Sequence, residues 1–140
     1  MIDFDMFFMQ EALKLAKVAF DEDEVPIGAV VTCNNKIIGK GYNQVEKLND
    51  PTAHAEILAI TAACNFLDSK YLDKCTLYVT LEPCMMCIGA VREAQILKVI
   101  YGAKDHTHKK LQPNLFELQG GLLAEEASEL IKTFFKKKRL

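Results

Sequence analysis

The sequence predicts an α/β fold in which a mixed sheet carries helices on both faces. Three observations lead there. Apolar residues recur at helical spacing near both ends of the chain, short runs rich in β-formers lie between them, and helical and extended segments alternate. The 140 residues suit one domain, 1–140, and half of them are apolar, enough to bury a core without a disulfide scaffold.

The first helix is expected over residues 4 to 20, where Phe8, Ala12, Leu15, Ala16 and Ala19 share one face. Asp21 to Glu24 makes an acidic exit, and Pro26 ends it. Ile27 to Cys33 reads as a strand, Asn34-Asn35 as a turn that tolerates positive φ, and Lys36 to Tyr42 as the returning strand of a hairpin. Asn43 to Pro51 is a polar loop. A helix then runs to about Leu67, with Ile57, Ile60, Thr61 and Cys64 as its inner face. Cys75 to Leu81 is a strand, Cys84 to Ala94 a short helix and Ile96 to Tyr101 a further strand. The last helix covers roughly Leu123 to Lys137, with Leu123, Ala127, Leu130, Ile131 and Phe134 facing in. Right-handed crossovers bring the starts of the second and third helices to the same edge of the sheet.

Composition removes several classes of function. With 26% charged and 50% apolar residues the chain is neither disordered nor fibrous. No apolar run reaches the 18 or so residues of a membrane span. The net charge of −2 does not announce a nucleic-acid binder by itself. Met1-Ile2-Asp3-Phe4-Asp5 has no basic flank and no small-residue cleavage site, and the five cysteines are odd in number. A reducing cytoplasm, with thiols available for metal or catalysis, is therefore expected.

Two segments carry the chemistry. Thr52-Ala53-His54-Ala55-Glu56 opens the second helix, and Leu81-Glu82-Pro83-Cys84-Met85-Met86-Cys87 joins a strand to the third. Cys84 and Cys87 are three apart at a helix start, so they share a face, and the positive end of the helix dipole favours thiolates there. Two thiolates and one imidazole suit Zn²⁺, and three protein ligands leave the fourth tetrahedral position open, as catalytic sites require. On a regular helix His54 and Glu56 would point about 200° apart. His54 is thus expected at or just before the first helical turn, with Glu56 beside the open position as a proton carrier. Each segment alone has blander readings. Cys-x-x-Cys also serves as a redox pair or as half of a structural zinc site, and His-x-Glu also occurs on solvated surfaces. Together, His-x-Glu and Pro-Cys-x-x-Cys form the signature of zinc-dependent nucleobase deaminases.

On these motifs the chain resembles the tRNA-specific adenosine deaminases of the cytidine deaminase superfamily. The likeness runs from about residue 10 to 105 and returns in the last helix. It is strongest in Glu24-Val25-Pro26-Ile27-Gly28-Ala29-Val30-Val31, in Asp50 to Ile57 and in Leu77 to Cys87. The resemblance implies a three-layer α/β/α sandwich with a five-stranded mixed sheet, and a homodimer. It implies one Zn²⁺ per subunit on His54, Cys84 and Cys87, with Glu56 shuttling the proton as adenosine becomes inosine. By the same resemblance Asn43 contacts the nucleoside. Ala53, Ile27 and Val30 lie against the base, and Asp105 meets the nucleotide beside it. The chain departs from the family pattern at Glu93-Ala94-Gln95 and from His106 to Gln119. The resemblance implies that the matching segments in the family help shape the RNA-facing rim and the dimer contact.

Two basic clusters, Lys104-His106-His108-Lys109-Lys110 and Lys136 to Arg139, could grip the phosphates of a tRNA anticodon stem-loop; a solvated basic tail is the plainer reading of the second. The competing function is deamination of a free base or nucleoside, guanine or cytosine type, at the same centre. A silent module keeping zinc only for structure would lack an acid at position 56, where Glu56 stands.

Overall fold

The computed structural model describes residues 2–107 and 116–139. Helix α1 covers Phe4–Asp21, and its start is capped by Asp3, whose side chain accepts the Met6 N–H at 3.1 Å. Strands β1 (Gly28–Cys33) and β2 (Lys36–Tyr42) form a hairpin. Asn34 and Asn35 both hold positive φ, 52° and 59°, as a two-residue hairpin turn demands. The one-turn helix α2 (Val45–Leu48) and helix α3 (Ala55–Leu67) follow. Next come β3 (Cys75–Leu81), α4 (Met85–Glu93), β4 (Lys98–Ala103), β5 (Glu117–Gln119) and α5 (Ala124–Lys138).

The sheet order is β2-β1-β3-β4-β5; β1 runs antiparallel to β2 and β3, while β3-β4 and β4-β5 are parallel. Strand alternation divides the core into two layers. Ala29, Val31, Leu77, Val79 and Val99 face α3 and α4; Val30, Tyr78 and Ile100 face Phe8, Met9 and Ala12 of α1. Helix α5 closes the α1 side through Ala127 and Phe134. The result is the predicted α/β/α sandwich with five strands. Among the described residues no helix is long and apolar enough to cross a membrane.

Four expectations change. The buried stripe of α3 is Ala55, Glu56, Ala59, Ile60 and Ala63; Thr61 is exposed, and Ile57 and Cys64 are only half-buried. The cause lies on β2. A Cβ on Gly39 or Gly41 would stand 2.3 Å from the Ala59 or Ala55 carbonyl oxygen, so the backbone of α3 lies directly on the strand, with Ala55, Ala59 and Ala63 at the close approach. The polar loop after Asn43 contains α2. Ile96 precedes β4, its N–H completing the exit of α4 on the Val91 carbonyl at 3.1 Å. Leu123 precedes α5 with φ of 56°, and Leu130 and Ile131 are only half-buried. Strand β5, three residues long and without a β-branched side chain, gave no signal of its own.

Candidate active site and metal centre

The starts of α3 and α4 meet. His54 is the N-cap of α3, with the extended dihedrals φ −75° and ψ 153°, and it makes no side-chain cap bond. That duty falls to Asn43, at the end of β2, whose Oδ1 accepts the Ala55 N–H at 2.8 Å. The imidazole is thereby released from the helix. Cys84 is likewise the N-cap of α4 (φ −74°, ψ 173°), and Cys87 lies buried in its first turn. His54 Nδ1 stands 3.7 Å from Cys84 Sγ and 3.6 Å from Cys87 Sγ. One ligand atom from each of the three residues lies within 4.8 Å of the others, so this trio could hold a metal ion.

The separations test which ion fits. Tetrahedral bonds of about 2.3 Å to sulfur and about 2.0 Å to nitrogen place N and S roughly 3.5 Å apart. The two observed N···S distances match that edge. Soft sulfur donors with one imidazole suit Zn²⁺ and disfavour Mg²⁺ or Ca²⁺, which take oxygen ligands.

Glu56, 4% exposed, sits in the first turn of α3 against Cys87. Burial, then the neighbouring Glu56 and Cys84, push the Cys87 thiol far above its ordinary pKa. A divalent cation would offset these negative charges and favour Cys87 as a thiolate ligand. Burial also lowers the pKa of His54, against a smaller upward pull from Asp50, and favours the neutral imidazole that can ligate.

A cavity of about 1150 Å³ opens beside the trio, walled by Ile27, Asn43, His54, α2 and, from α5, Phe134 and Phe135. Of the predicted substrate contacts, Ile27 and Asn43 lie on this wall. Val30 does not. It is fully buried against α1, because residues 27 and 30 are an odd number apart on an extended segment and so point to opposite faces. Ala53 is 1% exposed, its carbonyl accepting the Gln44 N–H at 3.0 Å. Asp105 stands by the segment that leads to Cys84: its N–H donates to buried Glu82 at 3.1 Å, and its Oδ1 accepts from the Thr107 N–H and hydroxyl at 2.9 and 2.6 Å. Lys104 and His106 line a different surface, with Glu125 and Lys132. His108, Lys109 and Lys110 lie outside the described residues. The basic end of α5 does reach the cavity mouth, where Lys138 pairs with Asp23 at 2.6 Å. The aromatic wall of α5 and the buried acid Glu24 were not foreseen. Phe134 has helical spacing that marks it as core, and Glu24 carries no local sign of burial.

The arrangement defines a class: a His/Cys/Cys centre with a buried acid, set where two helix N-termini converge on a mixed sheet. A profile of the MafB19-like deaminase family matches residues 3–139. Within that class the chain belongs to the tRNA-specific adenosine deaminase family. It is 47% identical over 143 aligned residues to the tRNA-specific adenosine deaminase of Aquifex aeolicus (strain VF5), covering 95% of each chain. A solved structure from work on A-to-I editing by tRNA:A34 deaminases at the wobble position superposes with a TM-score of 0.84. It shares 39% identity and covers 89% of this chain and 98% of its own. A guanine deaminase from Bacillus subtilis is 42% identical but matches 70% of this chain and 63% of its own, with a TM-score of 0.67.

Proposed function

We propose that this chain deaminates adenosine to inosine at the wobble position of a tRNA. It works as one domain in a homodimeric cytoplasmic enzyme with one Zn²⁺ per subunit. The observation that carries the reading is the trio's tetrahedral spacing with Glu56 in the adjoining turn of α3. Likeness to tRNA-specific enzymes at 39–47% identity over 89–95% of the chain supports the substrate; the guanine deaminases match over less of the chain (Bacillus subtilis, 70%) or at lower identity (Nitrosomonas europaea, 25% over 92%). The half-buried groove between α3 and α4, around Ile57, Cys64 and Ala90, offers a surface for a second copy.

His54, Cys84 and Cys87 would hold the Zn²⁺, which when bound would make water a competent nucleophile at neutral pH. Glu56 would take one proton from the attacking water at its carboxylate and pass it to a purine ring nitrogen. It would then carry a second proton, from the hydroxyl of the tetrahedral adduct, to the amine, so that the C–N bond breaks, ammonia leaves and the oxygen stays as the inosine carbonyl. Asn43 spends Oδ1 on the Ala55 N–H, which leaves its amide hydrogens to hold the nucleoside. Ile27 gives the base an apolar wall. An anticodon loop is single-stranded, so turning one base into the cavity costs little.

The test is incubation of zinc-loaded protein with total tRNA, followed by sequencing for A read as G. Conversion at the wobble position is expected. Ammonia release from free guanine or cytidine, with no change in tRNA, would overturn the reading in favour of a free-base enzyme. Replacing Lys136, Lys137 and Arg139 by Gln should lower RNA turnover severalfold and flatten its salt dependence, with metal content unchanged.

A further inference from the structure

Glu24 is 2% exposed, lies outside the metal trio, and has both carboxylate oxygens engaged by backbone. Oε1 accepts the Glu46 N–H at 3.1 Å and Oε2 the Lys47 N–H at 2.8 Å. These are the second and third N–H groups of α2, the donors an N-cap side chain would ordinarily satisfy. The residue at that cap, Gln44, makes no side-chain cap bond. A four-residue helix does not sustain itself in water. Glu24 therefore supplies the missing cap from 22 residues away in sequence.

The connections lead on to the reacting end of the cavity. Glu24 is fixed from behind, its N–H on the Ala19 carbonyl at 2.9 Å. Beside it the Asn43 N–H donates to the Ile27 carbonyl at 3.1 Å, and the Gln44 N–H to the Ala53 carbonyl at 3.0 Å. Asn43 in turn caps α3. Segments 24–27 and 43–47 are thus joined across the cavity wall, and both contribute residues to it.

We propose that Glu24 is a positioning residue for substrate binding: by capping α2 it sets where the Asn43 amide and the α2 wall meet the nucleotide. The inference rests on the deaminase reading for its substrate. Its structural half stands apart from that reading. Glu56, Cys84 and Cys87 sit at the starts of α3 and α4, and Glu24 makes its bonds to α2 rather than to either of those helices, so the loss should fall on binding.

The test uses Glu24→Gln, which has the same shape but sets an NH₂ donor against a backbone N–H. With an anticodon stem-loop RNA, KM should rise about tenfold, the order expected for losing a buried charge-assisted hydrogen bond, while kcat stays within about threefold. Zinc should remain at one per chain, and hydrogen-exchange protection of Glu46 and Lys47 should fall. A merely structural role would lower the melting temperature and leave KM of the folded enzyme unmoved, which would overturn the proposal. A fall in kcat with KM unchanged would overturn it as well. Retained protection at Glu46 and Lys47 refutes it whatever the activity. Wild-type protein that turns over no stem-loop refutes the functional reading instead, and the exchange measurement still decides whether Glu24 orders α2.

Discussion

Helix α3 carries His54 at its cap and Glu56 in its first turn, and it lies on β2 at Gly39 and Gly41. Adding one methyl at Gly41 measures what that closeness is worth. The new Cβ would stand 2.3 Å from the Ala55 carbonyl oxygen and 2.7 Å from the Ala59 nitrogen, both backbone atoms, where ordinary contact begins at 3.4 Å. The start of α3 must lift by about 1 Å. Overpacking against atoms that cannot swing aside belongs at the upper end of the usual range, about 3 kcal/mol. The melting temperature should then fall by roughly 10 °C. The same lift stretches the 3.6 and 3.7 Å His54–sulfur spacings by a large multiple of the roughly 0.2 Å a metal site tolerates. Gly41→Ala should therefore bind zinc at least tenfold more weakly even where it is fully folded. Gly89 in α4 is the control, since a Cβ there meets nothing within 4 Å. Gly89→Ala should stabilise by about 0.5–1 kcal/mol, the ordinary gain of Ala over Gly inside a helix. Thermal melts with metal titration decide it. A Gly41→Ala protein that melts within 2 °C of wild type, by a threshold of about half a kcal/mol, and keeps its zinc would refute the reasoning.

Three further outcomes follow from the centre. Glu56→Gln should retain zinc and lose at least about a hundredfold in kcat, read by single-turnover kinetics; undiminished turnover would remove the proton-carrier role. Cys84→Ala or Cys87→Ala should lose the metal on dialysis, read by elemental analysis, and full occupancy in either would break the ligand set. The pKa of His54 is lowered from its ordinary 6.5 in the folded chain, chiefly by burial, so the unfolded chain binds more protons. Metal-free protein should accordingly lose stability as pH falls through 6.5 towards the lowered folded value, the His54 contribution being constant above 6.5. Urea midpoints between pH 7.5 and 5.5 measure this, and His54→Gln should flatten the slope.

The metal-capable trio was legible because it sits in two contiguous segments whose side chains need only their own helix starts to be placed. What escaped depends on partners distant in sequence. Hydropathy ranks Ile57 and Cys64 above Ala55, Ala59 and Ala63, so spacing alone selects the wrong face of α3. The deciding residues, Gly39 and Gly41, lie on another strand. The turn Val45–Leu48 reads as loop because its cap is Glu24. Val30 could have been excluded from the sequence itself: once Ile27 is given to the cavity, strand alternation sends residue 30 to the opposite face.

The use of N-cap positions resolves a conflict in the His-x-Glu spacing. Two residues apart on a regular helix point about 200° from each other, which cannot serve one reaction centre. An N-cap has extended dihedrals, so His54 leaves the helix while Glu56 stays in it, and the two can approach one point. That solution normally sacrifices the cap bond, because an imidazole directed at a metal cannot also accept a helix N–H. Asn43 supplies the acceptor from the end of β2, at 2.8 Å. The strand thus stabilises the helix start that presents the histidine, and it does so with a residue that also walls the cavity. Asn43→Ala should consequently show two separable losses. About 1 kcal/mol of stability goes with the cap, as for any N-cap removed. KM for RNA rises independently, with the lost amide donor. Asn43→Asp separates them, since a carboxylate keeps the acceptor and loses the donor. Its stability should match wild type within about 0.5 kcal/mol while its KM resembles that of the alanine variant. An Asn43→Asp enzyme with wild-type KM would show that the side chain serves the helix alone.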